Sequence, residues 1–305
     1  MNIEECEKLF ARAITSKSEA EFYYLIEPLF NEYDILSLEL TRGKTYWRAR
    51  IIGNNLYPNL RDLDYPKPEI ANLNRLNDKG VPFFYISQDM ETALAEVNPN
   101  NGQLVQLAGF KVKANAPVIL AVIGEISNVQ KNGYMHCIGR DPDKSISKVI
   151  NQLPRNEALK KIYIDRFFAH VLNDPKASSN GYRYSRTLAQ AILTKNHAEG
   201  IVYPSVKDRG GFNLGIRAEP SDKCFHNVSC VIAKVHAKRK FGMIDFEIIN
   251  SAINLDENNN FVWPENYIPE SLSQYNMTKE ELDEVTSDPS RKVYSYGTRN
   301  HSQDN

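Results

Sequence analysis

The stretch Tyr46-Trp47-Arg48-Ala49-Arg50-Ile51-Ile52 decides the fold class of this chain. Its residues alternate in character and are rich in β-formers, which predicts a β-strand. Successive side chains of a strand point to opposite faces, so Arg48 is expected on the side of Tyr46 and Arg50. The ordinary interpretation is that these two arginines face solvent on an edge strand. The alternative is that Arg48 serves a site.

Further strands and helices are expected on both sides of this stretch. The predicted strands are 81–86, 104–112, 117–123, 200–204, 212–216, 228–235 and 241–249. The predicted helices are 89–97, 156–172 and 185–194. Strands interrupted unevenly by helices predict an α+β fold, with a mixed β-sheet core and flanking helices, in preference to a doubly wound sheet.

The two ends of the chain differ from its middle. Residues 1–42 carry apolar side chains at helical intervals and a capping-box spacing at residues 18–21, which predicts a helical N-terminal extension. The amphipathic pattern of that extension is consistent with a homo-oligomer. Residues 251–305 are polar and without periodicity, which predicts a polar C-terminal tail.

Composition excludes several classes of protein. The 305 residues carry 37 Lys and Arg against 38 Asp and Glu, a formal charge of −1. A near-neutral chain has no general electrostatic reason to bind nucleic acid, and no apolar run approaches the roughly 20 residues that span a bilayer. The acidic first six residues lack an apolar signal core, so a cytoplasmic location is expected.

Common catalytic motifs are absent from the sequence. It has no G-x-x-x-x-G-K-[ST] or G-x-G-x-x-G phosphate loop, no H-E-x-x-H and no G-x-S-x-G. Cys224, His226, Cys230 and His236 share one short segment but lack the paired spacing of a zinc site. We therefore expect reduced, structural thiols and no metal.

Two polar residues besides Arg48 stand out on apolar elements. Glu96 lies near the end of the predicted helix 89–97, and Ser205 closes the short apolar strand 200–204. An exposed helical carboxylate and simple turn chemistry are their ordinary interpretations. Strand ends are also where mixed folds present reactive groups.

Three blocks together resemble the RES domain, which is named for an arginine, a glutamate and a serine. The first is Tyr46-Trp-Arg-Ala-Arg50. The second is Arg75-Leu-Asn-Asp-Lys-Gly-Val-Pro-Phe-Phe-Tyr-Ile-Ser87, followed by Thr92-Ala-Leu-Ala-Glu96. The third is Gly200-Ile-Val-Tyr-Pro-Ser205, with Gly210, Gly211 and Asn213 after it. The blocks occur in the family's order, so a RES domain is expected at 43–250.

The resemblance implies a fold similar to ADP-ribosyltransferases and an enzyme that depletes NAD by hydrolysis or phosphorolysis. The family is typically the toxin half of a bacterial RES–Xre toxin–antitoxin pair, which implies NAD+ as substrate and an Xre-like antitoxin as partner. The resemblance implies that the catalytic residues are Arg48, Tyr85, Glu96 and Ser205. The residues it carries over as substrate-binding are Arg75, Asn213 and Arg50, the last of which also competes with Arg48 for the family arginine.

These residue types suit cleavage of the nicotinamide–ribose bond. The reaction passes through an oxocarbenium-like state, and nicotinamide departs neutral without a general acid. Glu96 would stabilise the sugar cation and orient the ribose, while Arg48 would bind the diphosphate. Tyr85 would stack on nicotinamide or bond a phosphate, and Ser205 would hold a hydroxyl or phosphate oxygen without acting as a nucleophile. A transferase that modifies proteins and a non-catalytic binding module are the alternatives.

Overall fold

A computed structural model describes residues 1–41, 43–265 and 267 of the chain. Its strands are β1 (Leu36–Leu40), β2 (Tyr46–Ile51), β3 (Phe83–Ser87), β4 (Leu104–Val112), β5 (Val118–Val122), β6 (Gly200–Pro204), β7 (Phe212–Arg217), β8 (Phe225–Lys238), β9 (Ile244–Ala252), β10 (Asn254–Leu255) and β11 (Phe261–Val262). Its α-helices are α1 (Ile3–Ala13), α2 (Glu19–Ile26), α3 (Leu60–Leu63), α4 (Met90–Val97), α5 (Glu125–Asn132), α6 (Ser145–Gln152), α7 (Arg155–Leu172), α8 (Arg183–Lys195) and α9 (Ala218–Cys224).

One mixed sheet organises the described residues. It contains nine strands in the order β1-β5-β6-β7-β3-β2-β4-β8-β9, and a separate pair is formed by β10 and β11. Within this sheet β5 and β6 pair in parallel, while the other neighbouring strands are antiparallel. The predicted α+β class with a mixed sheet and flanking helices is confirmed.

Segment 1–42 is not helical throughout, which corrects the prediction made for it. α1 and α2 fall where helices were expected, but Leu36–Leu40 forms β1 and pairs with β5 at the edge of the sheet. Every second residue of β1 is the less exposed one, as the alternation of its leucines requires. The start of the predicted tail is structured, which corrects that prediction: it completes β9, forms β10 and β11, and buries Phe261 in a hydrophobic cluster. The rest of the tail, from residue 268 onward, lies outside the described residues.

The N-terminal helices contribute to the main hydrophobic core on one face of the sheet. Phe10 of α1 stacks on Phe167 of α7 with ring centroids 3.9 Å apart. Phe22 of α2 is fully buried and its ring contacts that of Tyr184 on α8. These helices therefore pack against the helices that cover the sheet.

A seam runs through the centre of the sheet between β2 and β3. The two strands are neighbours, yet they pair at a single position, Trp47 with Ser87. On its other side β2 pairs continuously with β4 from Tyr46 to Ile51. β2 is therefore an interior strand, and the interpretation of Arg48 as a solvent-facing residue on an edge strand is wrong.

Two further observations concern the described residues alone. Among them we find no helix whose length and apolar character would let it cross a bilayer. The cysteines Cys6, Cys137, Cys224 and Cys230 are buried and not joined in disulfides.

Candidate active site

A cavity of about 420 Å³ lies over the seam between β2 and β3. Its walls come from β2, β3, α4, β7, the loop after β6 and the segments around residues 74 and 178. The charged residues that line it are Arg48, Arg75, Lys207 and Glu96. Three cations therefore face one carboxylate.

Glu96 is presented by α4. The helix begins where the side chain of Asp89 accepts a 2.8 Å hydrogen bond from the backbone N–H of Thr92, an ordinary N-cap. Near the other end of the helix, Glu96 Oε1 accepts from Ser205 Oγ and from Asn213 Nδ2, each at 2.6 Å. Both donor residues are buried, whereas Glu96 itself is exposed. One oxygen of its carboxylate is thus fixed by two buried donors, while the side chain remains accessible to a ligand.

Asn213 is fixed by a second contact on the same face of the sheet. It pairs in register with Ser87 of β3, and the Ser87 hydroxyl donates to Asn213 Oδ1 at 2.7 Å. With its carbonyl oxygen occupied in this way, the amide group of Asn213 turns its N–H toward Glu96.

Ser205 follows β6 and has a complete set of hydrogen bonds. Its hydroxyl donates to Glu96 and accepts from the backbone N–H groups of Lys207 at 3.1 Å and Asp208 at 3.0 Å. A hydroxyl oxygen has two acceptor positions, and both are used here. This geometry fits a group that orients Glu96 and gives no support to a nucleophile.

Arg48 occupies the place where β2 and β3 separate. Its Nη1 donates to the backbone carbonyl of Tyr85 at 2.9 Å, in place of a strand hydrogen bond. Its Nε is buried and has no hydrogen-bond partner among the described residues. Burial lowers the pKa of Arg48 to about 10, and the charge of Arg50 acts in the same direction. At neutral pH Arg48 is therefore a charged group with an unused donor beside the cavity.

Arg50 does not join this site. Its guanidinium lies over the ring of Tyr57, 5.6 Å from the centroid, and it is not among the residues that line the cavity. Of the two arginines that compete for the family position, only Arg48 lines the cavity that Glu96 also lines.

Tyr85 lines the cavity, but its hydroxyl is committed elsewhere. The hydroxyl donates to Asn77 Oδ1 at 2.7 Å and accepts from the backbone N–H of Leu76 at 3.1 Å. Burial raises the pKa of Tyr85 well above its ordinary value, so the phenol stays neutral. The ring is the part of Tyr85 that is left for a ligand.

Arg75 lines the opposite wall. Its Nη1 donates to the carbonyl of Leu172, the last residue of α7, at 2.7 Å and to that of Asp174, two residues further on, at 3.1 Å. The guanidinium also lies 5.8 Å from the ring centroid of Tyr182, another cavity residue. Arg75 therefore ties the end of α7 to the cavity.

Several cavity residues were not predicted. The main one is Lys207, and the others include Asn74, Ser178, Tyr182 and Tyr203. Lys207 opens the charged, glycine-rich turn that directly follows Ser205, which is the one local signal that points to it. Tyr203 lies within the third quoted block, and the other residues lie between the strands and α-helices, in segments without a motif.

Comparison with known families identifies the chain. The family model described as "RES domain" matches residues 45–236, more than half of the sequence. The chain belongs to the RES domain family. The matched range contains each predicted site residue of this RES protein, while α1, α2 and β1 precede it.

Other comparisons add little to the RES assignment. A search of curated proteins found no match. Among solved structures, the chain is similar to one in the crystal structure of the M. tuberculosis MbcT–MbcA toxin–antitoxin complex, with 8 % identity and a TM-score of 0.31 over 74 % of this chain and 89 % of that one. A TM-score at this level supports no conclusion about this protein.

The described residues contain no group of three or more His, Cys, Asp or Glu placed to hold a metal ion. The charged groups of the cavity are instead guanidinium, ammonium and a single carboxylate. What the site presents to a ligand is therefore hydrogen bonding and charge from its own side chains.

Proposed function

We propose that this RES protein binds NAD+ and cleaves its nicotinamide–ribose bond, passing the ADP-ribose part to water or phosphate. One observation carries the proposal. A carboxylate, Glu96, is fixed by Ser205 and Asn213 on the cavity that also contains the guanidinium of Arg48. Membership of the RES family supports the assignment.

The charges of the cavity match those of the substrate. Arg48, Arg75 and Lys207 suit the two negative charges of a diphosphate, and guanidinium groups bind such oxygens in a bidentate manner. Glu96 supplies the one negative group. The cavity volume, about 420 Å³, lies within the range of about 300–1,000 Å³ typical of small-molecule sites.

Glu96 would act on the ribose. Ser205 and Asn213 converge on Oε1, which leaves Oε2 for a ribose hydroxyl or for the incoming water. A carboxylate fixed in advance stabilises the oxocarbenium-like state without reorganising during the reaction. Nicotinamide leaves as a neutral molecule, so the reaction needs no acid from the protein.

Tyr85 would contact the nicotinamide of the substrate, and Arg48 would contact its diphosphate. The Tyr85 hydroxyl is occupied, so stacking of its ring on nicotinamide is the role that its contacts favour. Arg48 has an unused Nε, which can donate to a phosphate oxygen once the substrate is in place. Arg75 and Lys207 would add charge on the remaining walls.

The biological role that we propose rests on membership of the RES family. We propose a toxin-like activity that depletes cellular NAD+ in the cytoplasm and is restrained by an Xre-like antitoxin that covers the cavity. An NAD+ concentration that falls in cells expressing the wild type, but not Glu96→Gln, would support this role.

The chemistry is tested with the purified chain and NAD+ labelled in its adenosine half. Free ADP-ribose, or its phosphorylated form when phosphate is added, supports the proposal and identifies the acceptor. Label bound to protein would show a transferase and contradict it. Unchanged NAD+ in the presence of a correctly folded chain would point to a binding module and contradict it as well.

A further inference from the structure

A second hydrogen bond joins α4 to the loop after β6, one helical turn away from Glu96. The hydroxyl of Thr92 donates to Asp208 Oδ2 at 2.6 Å. Thr92 and Glu96 are four residues apart and so lie on the same face of α4. Thr92 is fully buried, although its hydroxyl touches no residue of the predicted site set.

These contacts form a closed ring. Asp208 receives the Thr92 hydroxyl through its side chain and gives its backbone N–H to Ser205 Oγ at 3.0 Å. Ser205 in turn donates to Glu96 at 2.6 Å. Helix α4 therefore contacts the loop at two points, through Thr92 and Glu96. The two loop residues at these points, Asp208 and Ser205, are hydrogen-bonded to each other.

Gly211 presses against this ring. A Cβ atom on Gly211 would lie 2.6 Å from Thr92 Oγ1 and would also collide with Asp208 Oδ2. The carbonyl of Gly211 accepts from the backbone N–H of Ser205 at 2.8 Å, which closes the loop over the bond. A side chain at this position would displace Thr92 or Asp208, so glycine allows the loop backbone to approach the Thr92–Asp208 bond closely.

We infer that Thr92 and Asp208 are positioning residues for Glu96. The inference rests on the proposed function. Without the Thr92 hydroxyl, the half-buried carboxylate of Asp208 loses its donor and the loop is free to shift. Ser205 would move with it, and the Glu96 carboxylate would lose its fixed orientation. A displacement of about 1 Å at a reacting group is enough to slow catalysis by roughly 100-fold.

The test compares Thr92→Val with Thr92→Ser. Valine keeps the shape and removes the hydroxyl, whereas serine keeps the hydroxyl. We expect Thr92→Val to lower kcat for NAD+ cleavage by roughly 10- to 100-fold with KM changed less than about twofold, and Thr92→Ser to restore most of the rate. Glu4→Gln, at an exposed position of α1, should behave as the wild type.

An independent readout is amide hydrogen exchange of residues 205–211, which we expect to accelerate in Thr92→Val and not in Thr92→Ser. Should Thr92→Val not fold, Asp208→Ala removes the same bond from the loop side and should give the same fall in kcat. A wild-type kcat with unchanged exchange in these variants would overturn the inference while NAD+ cleavage stands. A wild-type chain that does not cleave NAD+ would overturn the proposed function and this inference with it.

Discussion

Ser205 and Asn213 donate hydrogen bonds to the same oxygen of Glu96, each at 2.6 Å. Asn213 belongs to β7, and Ser205 follows the end of β6, its neighbour in the sheet. The orientation of the Glu96 carboxylate is thus set by β7 and by the loop after β6, elements distant in sequence from the helix that carries it. Five expectations follow from the site and from the strands that build it.

Replacing Glu96 with Gln should abolish most of the activity. Glutamine keeps the size of the side chain but removes the negative charge that stabilises the sugar cation. Losing a transition-state contact of this kind costs about 2.7–4 kcal/mol, so kcat should fall roughly 100- to 1,000-fold in a steady-state assay of nicotinamide release. Glu91→Gln, on the same helix and outside the cavity, is the matched control. A fall of less than tenfold in Glu96→Gln would remove the central role given to this carboxylate.

Arg48 and Arg50 should respond differently to the same substitution. Arg48 lines the cavity, and Arg50 packs over Tyr57 outside it. Lysine lacks the planar fork of donors, so Arg48→Lys should raise KM for NAD+ by roughly 10-fold or more, as expected for lost hydrogen bonds to a charged group. Arg50→Lys should change KM less than about twofold. Equal effects in the two variants would show that Arg48 has no special contact with the substrate.

Binding should weaken at high pH. The pKa of Arg48 is lowered to about 10, so the guanidinium is charged below that pH and loses its charge as the pH rises through it. Affinity for an anionic ligand should therefore be constant near neutral pH and fall above about pH 9.5. Calorimetric titration with ADP-ribose between pH 7 and 10.5 measures this dependence, with Arg50→Lys as the control that keeps it. Affinity that stays level across the whole range would contradict the lowered pKa of Arg48.

Ser205→Ala should be impaired but active. Alanine removes one donor to Glu96 and leaves Asn213 in place. We expect kcat to fall roughly 10- to 100-fold, as for other groups that orient a catalytic side chain. Ser179→Ala, at an exposed position, should leave the rate unchanged. Complete loss of activity in Ser205→Ala, together with a covalent adduct on Ser205 detected by mass spectrometry in the wild type, would make Ser205 a nucleophile instead.

Gly200→Ala should destabilise the sheet. A Cβ at Gly200, the first residue of β6, would lie 2.6 Å from the backbone oxygen of Gly215 and 2.9 Å from Ile216 Cα on β7. Backbone atoms cannot move aside as a side chain can, so we expect a loss of about 1–3 kcal/mol in the free energy of unfolding. Urea denaturation measures it, with Gly53→Ala as a control in open space. An unchanged midpoint would mean that β6 and β7 are less closely packed than they are in this structure.

The sequence already contained the framework of the site. Arg48, Tyr85, Glu96, Ser205 and Asn213 lie in the quoted blocks, and the structure brings all five together. The period-2 pattern of β2 predicted the strand correctly. What periodicity could not tell is whether that strand is an edge or an interior one, because strand order depends on contacts between distant segments.

Two parts of the molecule escaped prediction for different reasons. β1 has a readable signal, the alternation of leucine with polar residues in Leu36-Ser-Leu-Glu-Leu40, but this short pattern directly follows a longer helical one that masks it. Tyr182 has no such signal, because it reaches the cavity through tertiary packing alone. For Lys207 the sequence offers only the charged, glycine-rich turn after Ser205. The committed hydroxyl of Tyr85 likewise depends on Asn77 and Leu76, whose positions only the folded chain reveals.

The single pairing between Trp47 and Ser87 has a mechanical consequence. The strands within each half of the sheet are continuously paired, whereas the pairing between the two halves is limited to one position, where the cavity lies. A ligand that contacts both Arg48 of β2 and Asn213 of β7 connects the two halves of the sheet. A ligand that binds only the native state stabilises that state. Binding in the cavity should therefore make the whole sheet more rigid and raise the melting temperature of the protein.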